Sequence, residues 1–406
     1  MNALPVPVLI VDDDEQFAAL LQQLLASVPL GITFAPHWVN SAAAARAAFD
    51  TNRFELVLLD NKLPGADGLD LLAELAQRPP ERQPAVIMLT ATGNEAIAVQ
   101  AMKRGAVDYL PKLDLDLATL TRALHVALQR RQLEREIRQK NEQLIADLQW
   151  AAEIQRAFLP QTYPVFPPSR DPATSALRFT HRYRPTREVG GDFFDVFAIG
   201  DYAAGLFIGD VMGHGLRAAL ITAILRGLIE ELMPLAADPG RFLTELNRGL
   251  TGILKQTRHT LFVSALYGVL DITRGELRFA NAGHPSPIHV RRKTNSADWL
   301  HAAHRIAGPA LALAADARYA TATVSISAGD VLLFYTDGLV EVPQANLRLF
   351  GEDRLLQTVR AATHLATDAL LDRLLAEAQH DAVSGVFTDD VCLLAVDIHE
   401  TLPAVA

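Results

Sequence analysis

The sequence predicts two globular units joined by a long helix: an α/β unit with a parallel sheet, then an α+β unit built as a β-sandwich flanked by helices. Three observations predict this. Residues 1–112 alternate continuous apolar runs with helical patterns, as expected where strands are buried on both faces of a parallel sheet. Residues 113–158 contain neither glycine nor proline. Residues 175–400 read as many antiparallel-looking strands with paired helices between them.

In the first unit, Val8–Val11, Leu56–Leu59 and Val86–Leu89 read as buried strands, and Phe17–Leu25 has the apolar spacing of a helix. Residues 113–158 read as one helix. Leu133, Ile137, Leu144, Ala151, Ile154 and Phe158 recur near heptad spacing, interrupted by Lys140 and Asp147. This pattern, with mixed charges around it, predicts a homodimer through residues 115–158, against the plainer reading of a single amphipathic helix lying on a neighbouring domain. Pro160, Pro164, Pro167, Pro168 and Pro172 mark a boundary. The expected domains are 1–122, 123–160 and 161–406. Beyond the boundary, Leu177–Tyr183, Phe193–Ile199, Ala203–Ile208, Phe262–Leu270, Glu276–Ala280, Val331–Tyr335 and Val391–Val396 read as strands. Leu216–Leu232, Pro239–Leu254, Glu352–Ala362 and Asp368–Gln379 read as helices, and Asn295–Ser296 as a surface loop.

The chain has 406 residues, half of them hydrophobic, enough for two or three packed domains. A formal charge of −10 argues against a dedicated nucleic-acid binder. The basic run Arg130–Lys140 is interleaved with acids and reads as a solvated helix face. The single cysteine, Cys392, excludes an intrachain disulfide and fits a reducing compartment. The N-terminal apolar run meets Asp12-Asp13-Asp14 and does not read as a signal peptide. The most apolar stretch, Leu216–Ile229, is short and holds Arg217 and Arg226. A cytoplasmic protein without nucleic-acid or membrane partners is expected.

Chemistry concentrates in two constellations. In the first, Asp12 and Asp13 end one strand, Asp60 ends the third, Thr90 the fourth, and Lys112 follows the fifth. A parallel sheet brings such residues to one edge. There a carboxylate pair suits Mg²⁺, Asp60 can act as nucleophile on a phosphoryl donor, and Thr90 and Lys112 can contact the added oxygens. An acidic loop edge without chemistry is the plain alternative for any one of them; five in this order favour function.

The segments Val11-Asp12-Asp13, Asp60–Gly68, Thr90-Ala91 and Tyr109–Lys112 make residues 6 to about 125 resemble a two-component receiver domain of flavodoxin-like fold. The resemblance implies that Asp60 is phosphorylated by a histidine kinase or phosphotransfer protein. It also implies that Asp12 and Asp13 bind Mg²⁺ and that Thr90 and Tyr109 form a switch pair.

In the second constellation Asp192, Asp210, Asp337 and the Asp389–Asp390 pair each sit at the edge of an apolar segment, the first three flanked by glycine. Carboxylates gathered at strand ends suit hard cations, and two such ions about 3.5–4 Å apart can activate a water and clamp a phosphoryl group. Singly, each acid reads as well as a turn or a cap.

Val189–Asp195, Gly209–Gly215, Asn281–Pro285, Tyr335–Glu341 and Thr388–Asp390 together resemble the PPM-type (type 2C) metal-dependent serine/threonine phosphatases of the SpoIIE-like branch. The resemblance implies two Mn²⁺ or Mg²⁺ ions bridged by Asp210, with Asp192 on one and Asp337 and Asp389 on the other. The Val211 carbonyl would be a further ligand, with Asp390 the alternative to Asp389. It implies direct hydrolysis of phosphoserine or phosphothreonine without a phosphoenzyme, on a substrate such as an anti-sigma-factor antagonist. Two positions depart from the pattern: Val211 where glycine is frequent, and Cys392 where threonine is usual. Cys392 reads as a buried strand residue. His214 does not match the spacing of the wider family's catalytic histidine, and His284 reads as a turn or supporting residue. The expected activity is therefore a phosphatase controlled by Asp60. The alternative is an adaptor that sequesters a partner, as in relatives that have lost the acids; here the set is intact.

Overall fold

Alternation along the first strand sets the N-terminal architecture. In β1 (Val6–Val11), Val8 and Ile10 enter one core and Leu9 and Val11 another, because successive strand side chains point to opposite faces. The chain continues through α1 (Glu15–Ser27), β2 (Phe34–Val39), α2 (Ala42–Thr51), β3 (Leu56–Asp60) and a small hairpin of β4 (Lys62–Leu63) and β5 (Ala66–Asp67). Then come α3 (Gly68–Ala76), β6 (Ala85–Thr90), α4 (Glu95–Lys103), β7 (Asp108–Pro111) and α5 (Leu117–Phe158). The sheet runs β2-β1-β3-β6-β7, every neighbour parallel. Side chains of α1 and the start of α5 fill one face, those of α2 and α3 the other. In this strand order ligands bind outside the carboxyl ends of the strands beside β1 and β3.

This computed structural model describes residues 4–91, 95–255, 261–300, 306–344, 348–380, 382–383 and 385–402. The long helix starts at Leu117 rather than residue 113. A 3₁₀ turn at Lys112–Asp114 intervenes, and Asp116 accepts the Thr119 N–H at 2.7 Å, an N-cap that fixes the helix start. The chain divides into two compact units, Met1–Gln143 and Leu144–Ala406, and the division falls inside α5. Among the described residues no helix is long and apolar enough to cross a membrane.

The second unit contains β8 (Leu177–Arg184), β9 (Asp192–Ala198), β10 (Ala203–Val211), α6 (Leu216–Glu231), α7 (Pro239–Leu254), β11 (Val263–Asp271) and β12 (Glu276–Ala282). It continues with β13 (Ile288–Arg291), β14 (Ser296–Trp299), β15 (Ala322–Ser325), β16 (Asp330–Tyr335), α8 (Glu352–Ala361), α9 (Thr367–His380) and β17 (Val391–Ile398). The strands form two antiparallel sheets, β15-β12-β11-β10-β9 and β14-β13-β16-β17-β8. Along β16, Leu332 and Phe334 join the core shared with the first sheet, α6 and α7, while Val331, Leu333 and Tyr335 face α8 and α9. The result is a β-sandwich with helices on both outer faces.

Three strands of the second unit were not expected from sequence. β13 and β14 are four residues each, and β13 carries His289 and Arg291 between prolines and a turn. Its polar His289 is buried, and Asp330 of the neighbouring β16 binds its Nε2 at 2.8 Å. β15 is an edge strand with alternating half-buried and exposed residues, so little apolar signal marks it. The expected loop at Asn295–Ser296 is the tight link from β13 to β14; Asn295 takes the left-handed conformation, φ 51°, and Ser296 already opens β14.

Candidate functional site

In the N-terminal unit the parallel strands deliver the expected residues to one edge. One carboxylate oxygen from each of Asp12, Asp13 and Asp60 lies within 4.8 Å of the other two. Asp12 and Asp60 are buried and Asp13 is exposed, so the group opens to solvent on one side. Lys112 Nζ lies 2.7 Å from Asp12 Oδ2 and 2.9 Å from Asp60 Oδ2. Burial pushes the Asp12 carboxyl up, against the pull of Lys112. For the Lys112 ammonium, burial works downward but the bonds to Asp12 and Asp60 outweigh it, and the net shift is upward. The Phe17 ring lies under the same ammonium, 4.7 Å from Nζ to its centroid. Thr90 Oγ1 donates to Tyr109 Oη at 2.8 Å.

In the second unit, each sheet supplies two acids to the same end of the sandwich. Asp192 opens β9 and Asp210 lies near the end of β10; the antiparallel register sets them directly opposite each other. Like charges so placed repel. Asp337 follows β16 and Asp389 precedes β17, two neighbouring strands of the other sheet. Gly338 makes their approach possible, since a Cβ there would stand 1.9 Å from the Asp390 carbonyl oxygen.

The electrostatics report the crowding. Burial, then the charge of Asp210, pushes the Asp192 carboxyl well above the usual carboxylate range. Asp210 is pushed up to about 7 by burial, with Asp337 and Asp389 adding to it. Asp337 is pushed up to about 6 by burial, then by Glu341 and Asp389. No lysine or arginine forms an ion pair with Asp192, Asp210, Asp337 or Asp389 among the described residues. Oxygen donors with uncompensated charge fit hard divalent cations. The arrangement is more open than the N-terminal one: among the described residues, Asp12, Asp13 and Asp60 form the group of three acids gathered within 4.8 Å.

The Asp389–Asp390 pair divides its work. Asp390 is buried and accepts from Gly191 N at 2.6 Å, Thr186 N at 2.7 Å and Thr186 Oγ1 at 3.0 Å. Asp389 is half-buried and accepts the Asp390 N–H at 2.8 Å. The Val211 carbonyl points at Gly191, where a Cβ would lie 2.9 Å from it.

The neighbouring residues are supports. Thr336, fully buried, donates from Oγ1 to Asp192 Oδ2 at 2.6 Å and accepts the Cys392 N–H at 2.8 Å. Sequence reasoning had left Thr336 and Thr186 without roles, since each acts on a partner more than 140 residues away. Cys392 is fully buried and its thiol is pushed up by burial, as a strand residue rather than a nucleophile. His284 closes a turn with Asn281 and meets Ser264 Oγ at 3.0 Å; Ser264 is the strand partner of Asp210. Burial lowers the His284 pKa to about 3, so the ring is neutral. His214 is exposed.

Known proteins share these two halves. The response regulator receiver domain family matches residues 8–125, and the stage II sporulation protein E (SpoIIE) family matches residues 200–399. Asp210, Asp337 and Asp389 lie within the second match and Asp192 just before it. Phosphoserine phosphatase RsbP of Bacillus subtilis is 29% identical over 219 residues, covering 53% of this chain and 51% of RsbP. Protein IcfG of Synechocystis sp. is 28% identical over 276 residues, covering 62% of this chain and 41% of IcfG. The chain thus spans about half or less of these curated relatives. The SiaA-PP2C domain of Pseudomonas aeruginosa superposes with a TM-score of 0.52 at 21% identity, over 63% of this chain and 97% of that domain, a likeness of fold. The chain therefore joins a segment of the response regulator receiver domain family, residues 8–125, to a segment that matches the SpoIIE family, residues 200–399, on a fold like that of the SiaA-PP2C domain.

Proposed function

We propose that this chain is a response regulator whose output is metal-dependent hydrolysis of phosphoserine or phosphothreonine on another protein. The observation that carries the proposal is the meeting of four acids from two sheets with no basic partner among the described residues. Asp192, Asp210, Asp337 and Asp389, with the Val211 carbonyl, would hold two Mn²⁺ or Mg²⁺ ions. Bound, the ions would neutralise charge on the phosphoryl oxygens and lower the pKa of a water. The chain's own part is orientation. The Thr336 hydroxyl fixes Asp192, and Asp390 fixes the Gly191 backbone beside it. That commitment of Asp390 favours Asp389 as the ligand of the pair. The names of RsbP and its relative RsbU, phosphoserine phosphatases of Bacillus subtilis, point to a serine-phosphorylated protein substrate, of which an anti-sigma-factor antagonist is the type expected.

At the receiver, Asp60 would take a phosphoryl group from a histidine kinase or phosphotransfer protein, with Mg²⁺ on Asp12, Asp13 and Asp60 and with Thr90 and Tyr109 as the switch pair. Exposed Val126, Leu133, Ile137, Leu144 and Ile154 on α5 support a homodimer through this helix. The test is hydrolysis of p-nitrophenyl phosphate and of a serine-phosphorylated protein by wild type and Asp210→Asn, with Mn²⁺ or Mg²⁺. Metal-dependent activity that disappears in the variant is expected. Equal turnover by both proteins, or none by the wild type with and without acetyl phosphate, would refute the proposal.

A further inference from the structure

The last turn of α5 carries a buried glutamine with an unusual set of partners. Gln155 is 7% exposed. Its Oε1 accepts the Gly190 N–H at 3.0 Å, and its Nε2 donates to the Gly190 carbonyl at 2.7 Å. One carboxamide thus holds both polar groups of a single residue, as a strand neighbour would. Nε2 also reaches Thr222 Oγ1 at 3.2 Å. Thr222 lies on α6, the helix that begins just after the Asp210–Gly215 loop. Gly190 is two residues before Asp192. A single side chain of α5 therefore touches the segment that leads into Asp192 and the helix that follows the loop after Asp210.

The surroundings leave this segment little slack. A Cβ on Gly190 would lie 2.5 Å from Tyr183 Oη and 2.7 Å from Asp390 Oδ2. A Cβ on Gly191 would lie 2.9 Å from the Val211 carbonyl and 3.0 Å from that of Gly213. The backbone is packed directly against the carbonyl proposed as a ligand, so a displacement of Gly190–Gly191 displaces that carbonyl or collides with it. The opposite side is pinned by the Asp390 carboxylate on Gly191 N. Gln155 is the one of these holds that comes from the helix leading in from the receiver sequence.

We infer that Gln155 is a positioning residue for the phosphatase metal site: its carboxamide sets the Gly190–Asp192 backbone against the Asp210–Gly213 loop. This rests on the proposed phosphatase reading and adds the point at which α5 controls it. Sliding α5 by one residue moves the side chain about 1.5 Å along the axis and turns it by about 100°. Either movement separates the carboxamide from Gly190, because both bonds need a heavy-atom distance near 2.7–3.2 Å. The site would then read the register and rotation of α5, with no need for α5 to touch an acid itself.

The test compares full-length wild type, Gln155→Met and Thr222→Val. Methionine keeps the length and apolar bulk of the side chain but makes neither of the bonds to Gly190. Mn²⁺ binding is read by titration calorimetry, and exchange of the Gly190 and Gly191 amides by hydrogen–deuterium exchange on metal-free protein. Q155M is expected to weaken Mn²⁺ binding about tenfold or more and to speed exchange of the 186–192 peptide, with a lowered melting transition, because the buried Gly190 N–H and C=O lose their partners. T222V, which removes one bond of the three, should shift Mn²⁺ binding in the same direction by a smaller factor, and it carries the test if Q155M does not fold. Mn²⁺ affinity in both variants equal to wild type would overturn the inference, as would a lowered melting transition with unchanged Mn²⁺ affinity. The readout is binding, so a wild type that binds Mn²⁺ without hydrolysing phosphoprotein refutes the phosphatase proposal and leaves this comparison intact.

Discussion

Replacing Asp390 and Asp389 separately by alanine separates a carboxylate that builds the site from one that serves it. Asp390 is 3% exposed and takes three hydrogen bonds, from Gly191 N at 2.6 Å, Thr186 N at 2.7 Å and Thr186 Oγ1 at 3.0 Å. Thr186 is partly exposed, so water can replace the acceptor there, and those two bonds are worth about 0.5–1.5 kcal/mol each. Gly191 is buried and would keep an unsatisfied N–H, costing about 1.5–3 kcal/mol. Removing one negative charge from a crowded acidic site offsets part of this. The net loss for Asp390→Ala is about 2–4 kcal/mol, or about 5–15 °C in the transition of the unit that contains it. Asp389 accepts one backbone bond at 2.8 Å and repels Asp210 and Asp337. Its removal should leave metal-free stability within about 1 kcal/mol of wild type but weaken Mn²⁺ binding by about a hundredfold, since losing even a residue that supports a ligand costs about 10–100-fold. Scanning calorimetry of the full chain in EDTA and titration with Mn²⁺ give both numbers. A D390A transition within 2 °C of wild type, or a D389A protein with undiminished Mn²⁺ affinity, would refute the division of roles.

Three further outcomes are expected. Asp210 and Asp337 titrate near 7 and 6 in the fold, above the ordinary value of 3.8, so their protonated forms favour the folded state. This stability is fully present below about pH 4 and lost as pH rises through 6–7; in EDTA the second unit should melt lower at pH 8 than at pH 5, and saturating Mn²⁺ should remove the difference. Lys112→Met leaves Asp12 and Asp60 without their cation and should destabilise the first unit by about 3 kcal/mol in EDTA, with Mg²⁺ restoring part of it; an unchanged melting curve would count against the charge network. Leu133→Glu with Ile137→Glu should convert a dimer to a monomer in sedimentation of the full chain, and a wild type that is already monomeric would remove the coiled-coil proposal.

Much of this architecture was legible because single strands announced themselves. Leu56–Leu59 and Val86–Leu89 are unbroken apolar runs, and the structure buries them on both faces. The acids were legible for a related reason: Asp60, Asp210 and Asp337 each stand where an apolar run stops. What stayed hidden depends on pairing between distant segments. Ile288–Arg291 becomes a strand only beside β16, whose Asp330 binds His289 Nε2. The choice between Asp389 and Asp390 turns on Gly191, 199 residues away, and the role of Thr336 on Asp192, 144 residues away. No local propensity or spacing encodes such contacts; they follow from how the two sheets stack.

The two acidic sites handle repulsion differently, and this bears on what each can do. In the receiver, Lys112 bridges Asp12 and Asp60 at 2.7 and 2.9 Å, so the cluster holds a cation of its own before any metal arrives. A built-in counter-ion offsets one of the three negative charges of Asp12, Asp13 and Asp60, so part of their repulsion is relieved within the fold itself. In the second unit the four acids have no such partner among the described residues, and their repulsion appears as carboxyls pushed up to about 7 and about 6. Such a site relaxes by holding protons at low pH or divalent cations at higher pH, and at neutral pH a bound ion displaces the proton. The repulsion stored in the second unit is thus left for protons or cations to relieve, whereas in the first unit Lys112 already relieves part of it.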